Sequence, residues 1–210
     1  MAIAKRQEVE LVLQSLKMQV TGPLGLAATS RHALTTELIW ARNGFPIRGY
    51  TRVVELIQGS RVFTDADWID AVLMKETALG RFGLRVRVSQ ALSDNVVTKI
   101  LQSMAKAAAT SVADAVEKSF DKPLGKIVAT PVDYVASLFA AENVLPIAEA
   151  VTVVDPQLYA SGGYILTLPL AAPAKVTRAQ SSTGKTQRPR EQVLAKGEAN
   201  GEVTLSIGLL

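Results

Sequence analysis

The polar and apolar positions of this chain alternate with period two over most of its length, and where they do the sequence predicts β-strands. Val9, Leu11 and Leu13 alternate with polar neighbours, and Leu16, Met18 and Val20 continue in the opposite phase, so one extra residue near Gln14 and Ser15 predicts a long strand with a β-bulge. The β-rich runs Thr36–Ala41 and Ile47–Ile57 flank Arg42-Asn43-Gly44, a hairpin signal, with Pro46 expected at a strand start or edge. Gly59-Ser60 marks a turn before Arg61-Val62-Phe63, and Ala71–Lys75 is a short apolar run ahead of Gly80. Leu84, Val86 and Val88 face one way and Arg85 and Arg87 the other, which predicts an antiparallel strand with one wet face. Val151–Val154, then Tyr164, Leu166, Leu168 and Leu170, then Val203, Leu205, Ile207 and Leu209 return to strand character.

Between these strands the period changes. Val97, Ile100, Leu101, Met104, Ala108, Val112 and Ala115 recur at helical spacing behind Ser93 or Asp94 as cap, predicting a long amphipathic helix over Ser93–Lys118. Thr130-Pro131-Val132-Asp133 begins a second helical stretch, which Pro146 ends. The chain is therefore expected to form a single domain, 1–210. Its expected fold is mainly β with an α insertion: a two-sheet antiparallel β-sandwich carrying a helical insertion at about 93–145 and a flexible basic loop at about 171–201. The strand number, the run Gly80-Arg81-Phe82-Gly83-Leu84-Arg85-Val86-Arg87-Val88 and the closing Gly201-Glu202-Val203-Thr204-Leu205-Ser206-Ile207 resemble a C2-type β-sandwich in architecture. Calcium-binding C2 domains draw several Asp from two loops, whereas this chain offers one acidic cluster, so the resemblance implies the fold and no metal site.

Composition narrows the chemistry. Forty-eight per cent of the 210 residues are hydrophobic, which suffices for a sizeable core, and the absence of Cys excludes disulfides, thiol nucleophiles and Cys-based zinc sites. The net charge of +4 is local. Lys175, Arg178, Lys185, Arg188, Arg190 and Lys196 are opposed by Glu191 alone, while the rest of the chain carries 17 basic and 18 acidic residues. That segment is rich in Ser, Thr, Gln, Gly and Pro and lacks aromatics, so it reads as a solvated loop, and nucleic acid is not expected as a partner. The first eight residues carry charge and no apolar block, so no secretory signal is expected. Glu142, Asn143, Pro146 and Glu149 interrupt the longest apolar stretch, so no membrane-spanning helix is expected. A cytoplasmic or particle-bound protein is anticipated.

The motifs that could carry catalysis have plainer explanations. Ala179–Thr186 matches a loose phosphate-loop pattern, but Pro189 stops the helix that would cradle a phosphate, so the match is formal and no cofactor is expected. Asp65, Asp67 and Asp70 around Trp68 lack the Gly and the later Glu of a calcium loop and suit a short helical turn capped by Thr64 or Asp65. His32, the single histidine, is expected at the surface, and Glu8, Glu10, Glu198 and Glu202 on solvated faces. With no catalytic or metal constellation, the sequence points to a non-enzymatic structural or protein-interaction subunit, for instance of a bacterial or phage assembly, with itself or other subunits as partner. The interaction residues expected are Val97, Ile100, Met104 and Val112 on the helix, and Lys185, Arg188 and Arg190 in the basic loop. The alternative is a peripheral membrane module that uses its amphipathic helices and basic loop.

Overall fold

Each strand buries one set of alternate side chains, and pairing decides how those buried faces meet. A computed structural model of the chain describes residues 6–21, 29–40, 48–90, 146–156, 163–179 and 191–209. In order these form β1 (Arg6–Met18), β2 (Thr29–Trp40), β3 (Arg48–Ile57), β4 (Ser60–Val62), a 3-10 turn (Asp65–Asp67), α1 (Trp68–Ala71), β5 (Val72–Leu79), β6 (Phe82–Gln90), β7 (Pro146–Val154), β8 (Tyr164–Ala171), β9 (Val176–Ala179), β10 (Glu191–Leu194) and β11 (Ala199–Leu209).

The expected two-sheet sandwich with a helical insertion is not the fold. The strands close into an antiparallel eight-stranded β-barrel with the cyclic order β1-β11-β8-β7-β6-β2-β3-β4. β1 closes the ring because it is paired along both edges: with β11 from Val9 to Met18 on one side, and with β5 and then β4 on the other. Alternation shows which side chains turn inward but carries no information on whether an inward face meets a second sheet or the far wall of its own sheet. Among the described residues the sole α-helix is the four-residue α1. The segment 93–145 expected to be helical lies outside the described residues, as do Val97, Ile100, Met104 and Val112. No helix among the described residues is long and apolar enough to cross a membrane.

The bulge in β1 is where the change of phase places it. The register against β11 shifts between Leu13 and Ser15, so Leu13 and Leu16 both point inward and both are fully buried. β3 turns into β4 through Gln58 and Gly59, both at positive φ (50° and 82°), which suits a two-residue hairpin of primed type. A Cβ at Gly59 would lie 2.7 Å from the Met18 carbonyl oxygen, so only glycine lets this turn dock on the end of β1. The interior is filled by Leu11, Leu16, Leu34, Leu56, Leu84 and Leu205 and their neighbours, none of these six more than 1% exposed, in the manner of a small barrel packed with side chains.

Two other sequence expectations change. The wet face foreseen for β6 is absent: every residue of Phe82–Gln90 is buried. The ends of the basic segment form a small antiparallel sheet, β9 with β10, and β11 begins at Ala199. Lys185, Arg188 and Arg190 lie outside the described residues.

The β7–β8 junction holds one assigned pair, Glu149 with Ala171, and Asn200 reinforces it. Asn200 is the extra residue of a bulge between Ala199 and Gly201 and is fully buried. Its side-chain oxygen accepts from Val20 N (2.8 Å), and its amide donates to Val20 O (3.1 Å) and Ile147 O (2.7 Å), which ties the exit of β1 to the start of β7. Asn200→Leu strands these buried backbone groups without partners at about 1–3 kcal/mol each, so chemical denaturation should show a loss of about 3 kcal/mol or more. A loss below about 1 kcal/mol would contradict the role assigned to Asn200.

Candidate functional site

Along β3 the barrel wall changes character. β3 is laddered to β2 over its whole length, but on its other edge only Ile57 pairs, with Ser60. The inward phase of β3, continued from His32 opposite Val54 and Thr36 opposite Tyr50, carries Arg48, Tyr50 and Arg52 toward β5 and α1. Side chains, rather than a backbone ladder, bridge the seam. Tyr50 donates a short hydrogen bond to Glu76, and Arg48 stands 3.6 Å from the same carboxylate. Burial, then the bond to Glu76, pushes the Tyr50 phenol up to about 12, so it stays protonated as a donor. Arg52 Nη1 donates to the Ile69 carbonyl at 2.7 Å and lies 3.8 Å from Asp70.

At the β4 end this seam opens into a cleft of about 350 Å³ lined by Arg31, Arg52, Val53, Val54, Glu55, Arg61, Phe63 and Asp70. Arg61 lies over the Phe63 ring, 4.8 Å from its centroid, a cation–π geometry. The three aspartates expected around a capped helical turn sit at one. Thr64 precedes the 3-10 turn and donates both its N–H (3.1 Å) and its hydroxyl (2.9 Å) to Asp67 Oδ2. These bonds hold the Asp67 carboxyl below its ordinary range although water reaches it. Asp70 faces Arg52, and Asp65 has no hydrogen-bond or ion-pair partner. No group of three His, Cys, Asp or Glu among the described residues could hold a metal ion.

Beside the cleft, α1 presents Trp68 and Ile69 to solvent, 63% and 66% exposed, and Ile57 and Val62 are 66% and 62% exposed. Four of the six exposed large apolar side chains among the described residues thus fall within residues 57–69. The sequence reading placed a capped turn here but missed its exposed apolar surface, because a four-residue helix leaves no periodic signature of which side chains face out. Of the glutamates expected on solvated faces, Glu8 and Glu198 are exposed and Glu10 and Glu202 are partly so; Glu10 stands 3.3 Å from Lys75, Glu202 bonds Lys17 at 2.9 Å, and Glu198 accepts from Ala195 N at 2.8 Å. Of the formal phosphate-loop match, only Ala179 is among the described residues, at the end of β9.

A second charged group is closed to solvent. Register places Glu37, Arg85, Arg87 and Glu149 on the outer face of β2, β6 and β7, yet Glu37, Arg85 and Arg87 are at most 5% exposed. Glu37 accepts from Arg85 at 3.0 Å and from Arg87 at 3.4 Å, and Glu149 stands 3.6 Å from Arg87. Two guanidinium groups and two carboxylates balance, the condition under which a buried ionic cluster is tolerable. It reads as a structural element of the wall.

No protein-family model matches the chain, and no curated protein matches it in sequence.

His32, expected at the surface, is 0% exposed inside the barrel. Its Nε2–H donates to the Thr21 carbonyl at 3.1 Å and its ring is closed to water, so a second proton would add a buried charge whose desolvation outweighs the backbone groups of Thr21 and Ser30 that favour it. Burial lowers its pKa. The unfolded chain, with histidine at about 6.5, therefore binds the proton first as pH falls, and the stability held above that value is lost below it. The melting temperature should drop between about pH 7.5 and 5.5, and His32→Gln should flatten that dependence. An equal pH slope in parent and variant would rule out His32 as its source.

Proposed function

We propose that this protein is a non-enzymatic interaction subunit that assembles with copies of itself through the corner formed by residues 57–70. The observation that carries this reading is the composition of that corner. Trp68 and Ile69 stand in water, with the carboxylates of Asp65 and Asp70 flanking them in the chain and a cleft next to them whose lining holds Arg31, Arg52 and Arg61 along with Asp70. A two-fold contact brings the same patch together from both partners, so it requires a surface holding both members of each complementary pair. A patch of one sign would repel its copy. Aromatic and arginine side chains are also the residue types that anchor interfaces.

The rest of the molecule supports the same reading. The barrel interior is filled mainly by aliphatic side chains that no solvent reaches, and Glu37 and Glu149 balance the buried arginines of the wall in charge, whereas the apolar side chains and long ion pairs of the seam and α1 lie within reach of a partner. Removing Trp68 and Ile69 from water contributes about 1.5–3 kcal/mol per side chain, and a two-fold contact counts each twice.

Sedimentation velocity over a range of concentrations tests the proposal. The parent should shift from monomer to a larger species, and Trp68→Glu combined with Ile69→Glu should sediment as a monomer with a melting temperature within about 3 °C of the parent, since exposed positions contribute little to folding. Identical sedimentation of parent and variant would refute the assignment of this corner.

A further inference from the structure

We propose that the cleft between β3, β4 and α1 is a carboxylate-binding subsite, and that its occupant is Asp65 of a second copy of this chain, bound reciprocally across the two-fold contact. The inference rests on the self-association reading above and adds the residues that give it specificity.

The donors come first. Arg52 spends one N–H on the Ile69 carbonyl, and its own-chain carboxylate, Asp70, is 3.8 Å away, beyond hydrogen-bond distance. Arg61 stacks on Phe63, and its own-chain carboxylate is Asp67, whose Oδ1 stands 3.6 Å from Nη2, an ion pair longer than a hydrogen bond, while Asp67 Oδ2 takes both Thr64 donors. Neither guanidinium therefore has a hydrogen-bonded carboxylate of its own, although each carries five N–H groups in a fork that fits one. The two side chains are 36% and 31% exposed, so a partner can reach them while part of each stays shielded from water. Three arginines against Glu55 and Asp70 leave the cleft lining positive. Arg31 adds charge there.

The acceptor follows from elimination among the three aspartates of the corner. Asp67 caps the 3-10 turn and Asp70 faces Arg52, whereas Asp65 is exposed with no partner. Asp65 and the cleft residue Asp70 lie on either side of Trp68 in the chain. In a two-fold contact built on the two Trp68–Ile69 pairs, each Asp65 would take the other copy's Arg52 and Arg61 as its partners. The exchange gives each Asp65 a partner and each arginine fork a carboxylate, and a charge-assisted bidentate contact of this kind fixes orientation where an apolar patch alone would slide.

Charge reversal by mixing tests the pairing. In Asp65→Lys the reciprocal contact becomes Lys against Arg, and in Arg61→Glu it becomes Asp against Glu; each variant alone should associate at least about tenfold more weakly than the parent. In a one-to-one mixture the hybrid dimer contains one native Asp65–Arg61 contact and one contact in which both charges are reversed, so association should return. Melting temperatures of the single variants near that of the parent establish that both are folded, and Asp65→Asn with Arg61→Gln serves as a second, neutral pair whose mixture, holding one native and one neutral contact, should recover less than the charge-reversed mixture does. A parent that dimerises while neither reversal weakens it, or a mixture no stronger than its components, overturns the subsite and leaves the self-association reading standing. A parent that is monomeric at every concentration overturns both.

Discussion

Closure of the barrel depends on β1 finding a partner along both edges. Thirteen residues are long enough to ladder with β11 on one side and to be shared, end to end, by β5 and β4 on the other. The sharing requires the bulge beyond Leu13. Without the extra residue, Leu16 and Met18 would turn outward and their buried faces would be lost to solvent, because a one-residue slip inverts every later side chain. The remaining geometry follows from this strand. Its exit is fixed by Asn200 and by the Gly59 turn, and the part of β3 that it leaves unpaired becomes the seam.

Much of this was legible residue by residue and little of it was legible as architecture. The phase change between Leu13 and Leu16, the alternation through Val88, Leu170 and Leu209, and the turn at Gly59 all left marks in the order of side chains. Barrel and sandwich differ only in who pairs with whom at the edges. Here that difference sits in Val9–Met18 against Gly201–Leu209, partners almost two hundred residues apart, which no local pattern encodes. Arg85 and Arg87 misled for a related reason. Alternation with Val86 and Val88 marks which face they occupy, and burial depends on what lies over that face and on a compensating Glu37 from β2, both of them non-local.

The interaction corner was half visible. Thr64, Asp65 and Asp67 announced a capped turn, and the turn is there with both Thr64 donors satisfied. Its significance was hidden, since the arginines that give the aspartates a complementary surface come from β2, β3 and β4 and converge only when the barrel closes. His32 shows the converse. Flanked by Arg31 and Ser30 it reads as exposed, yet it is in register with Val54 and Gln90 on the inner face, beside the backbone carbonyl of Thr21.

The two sets of arginines show how environment divides one residue type between two tasks. Arg85 and Arg87 lie where water is excluded, so each unmatched charge would carry a large desolvation cost, and the wall matches them with Glu37 and Glu149 inside the fold. Arg52 and Arg61 lie at an edge where water still reaches them, so the fold tolerates their long, incomplete ion pairs at little cost. That tolerance is what leaves them able to bind. Once a second surface excludes water from the cleft, the same long contacts become inadequate, and a carboxylate at hydrogen-bond distance is stabilised over one at 3.6 or 3.8 Å. The open edge of β3 therefore keeps these donors exposed and only loosely paired in the monomer, which is the state that favours exchange with the exposed Asp65 of a second copy.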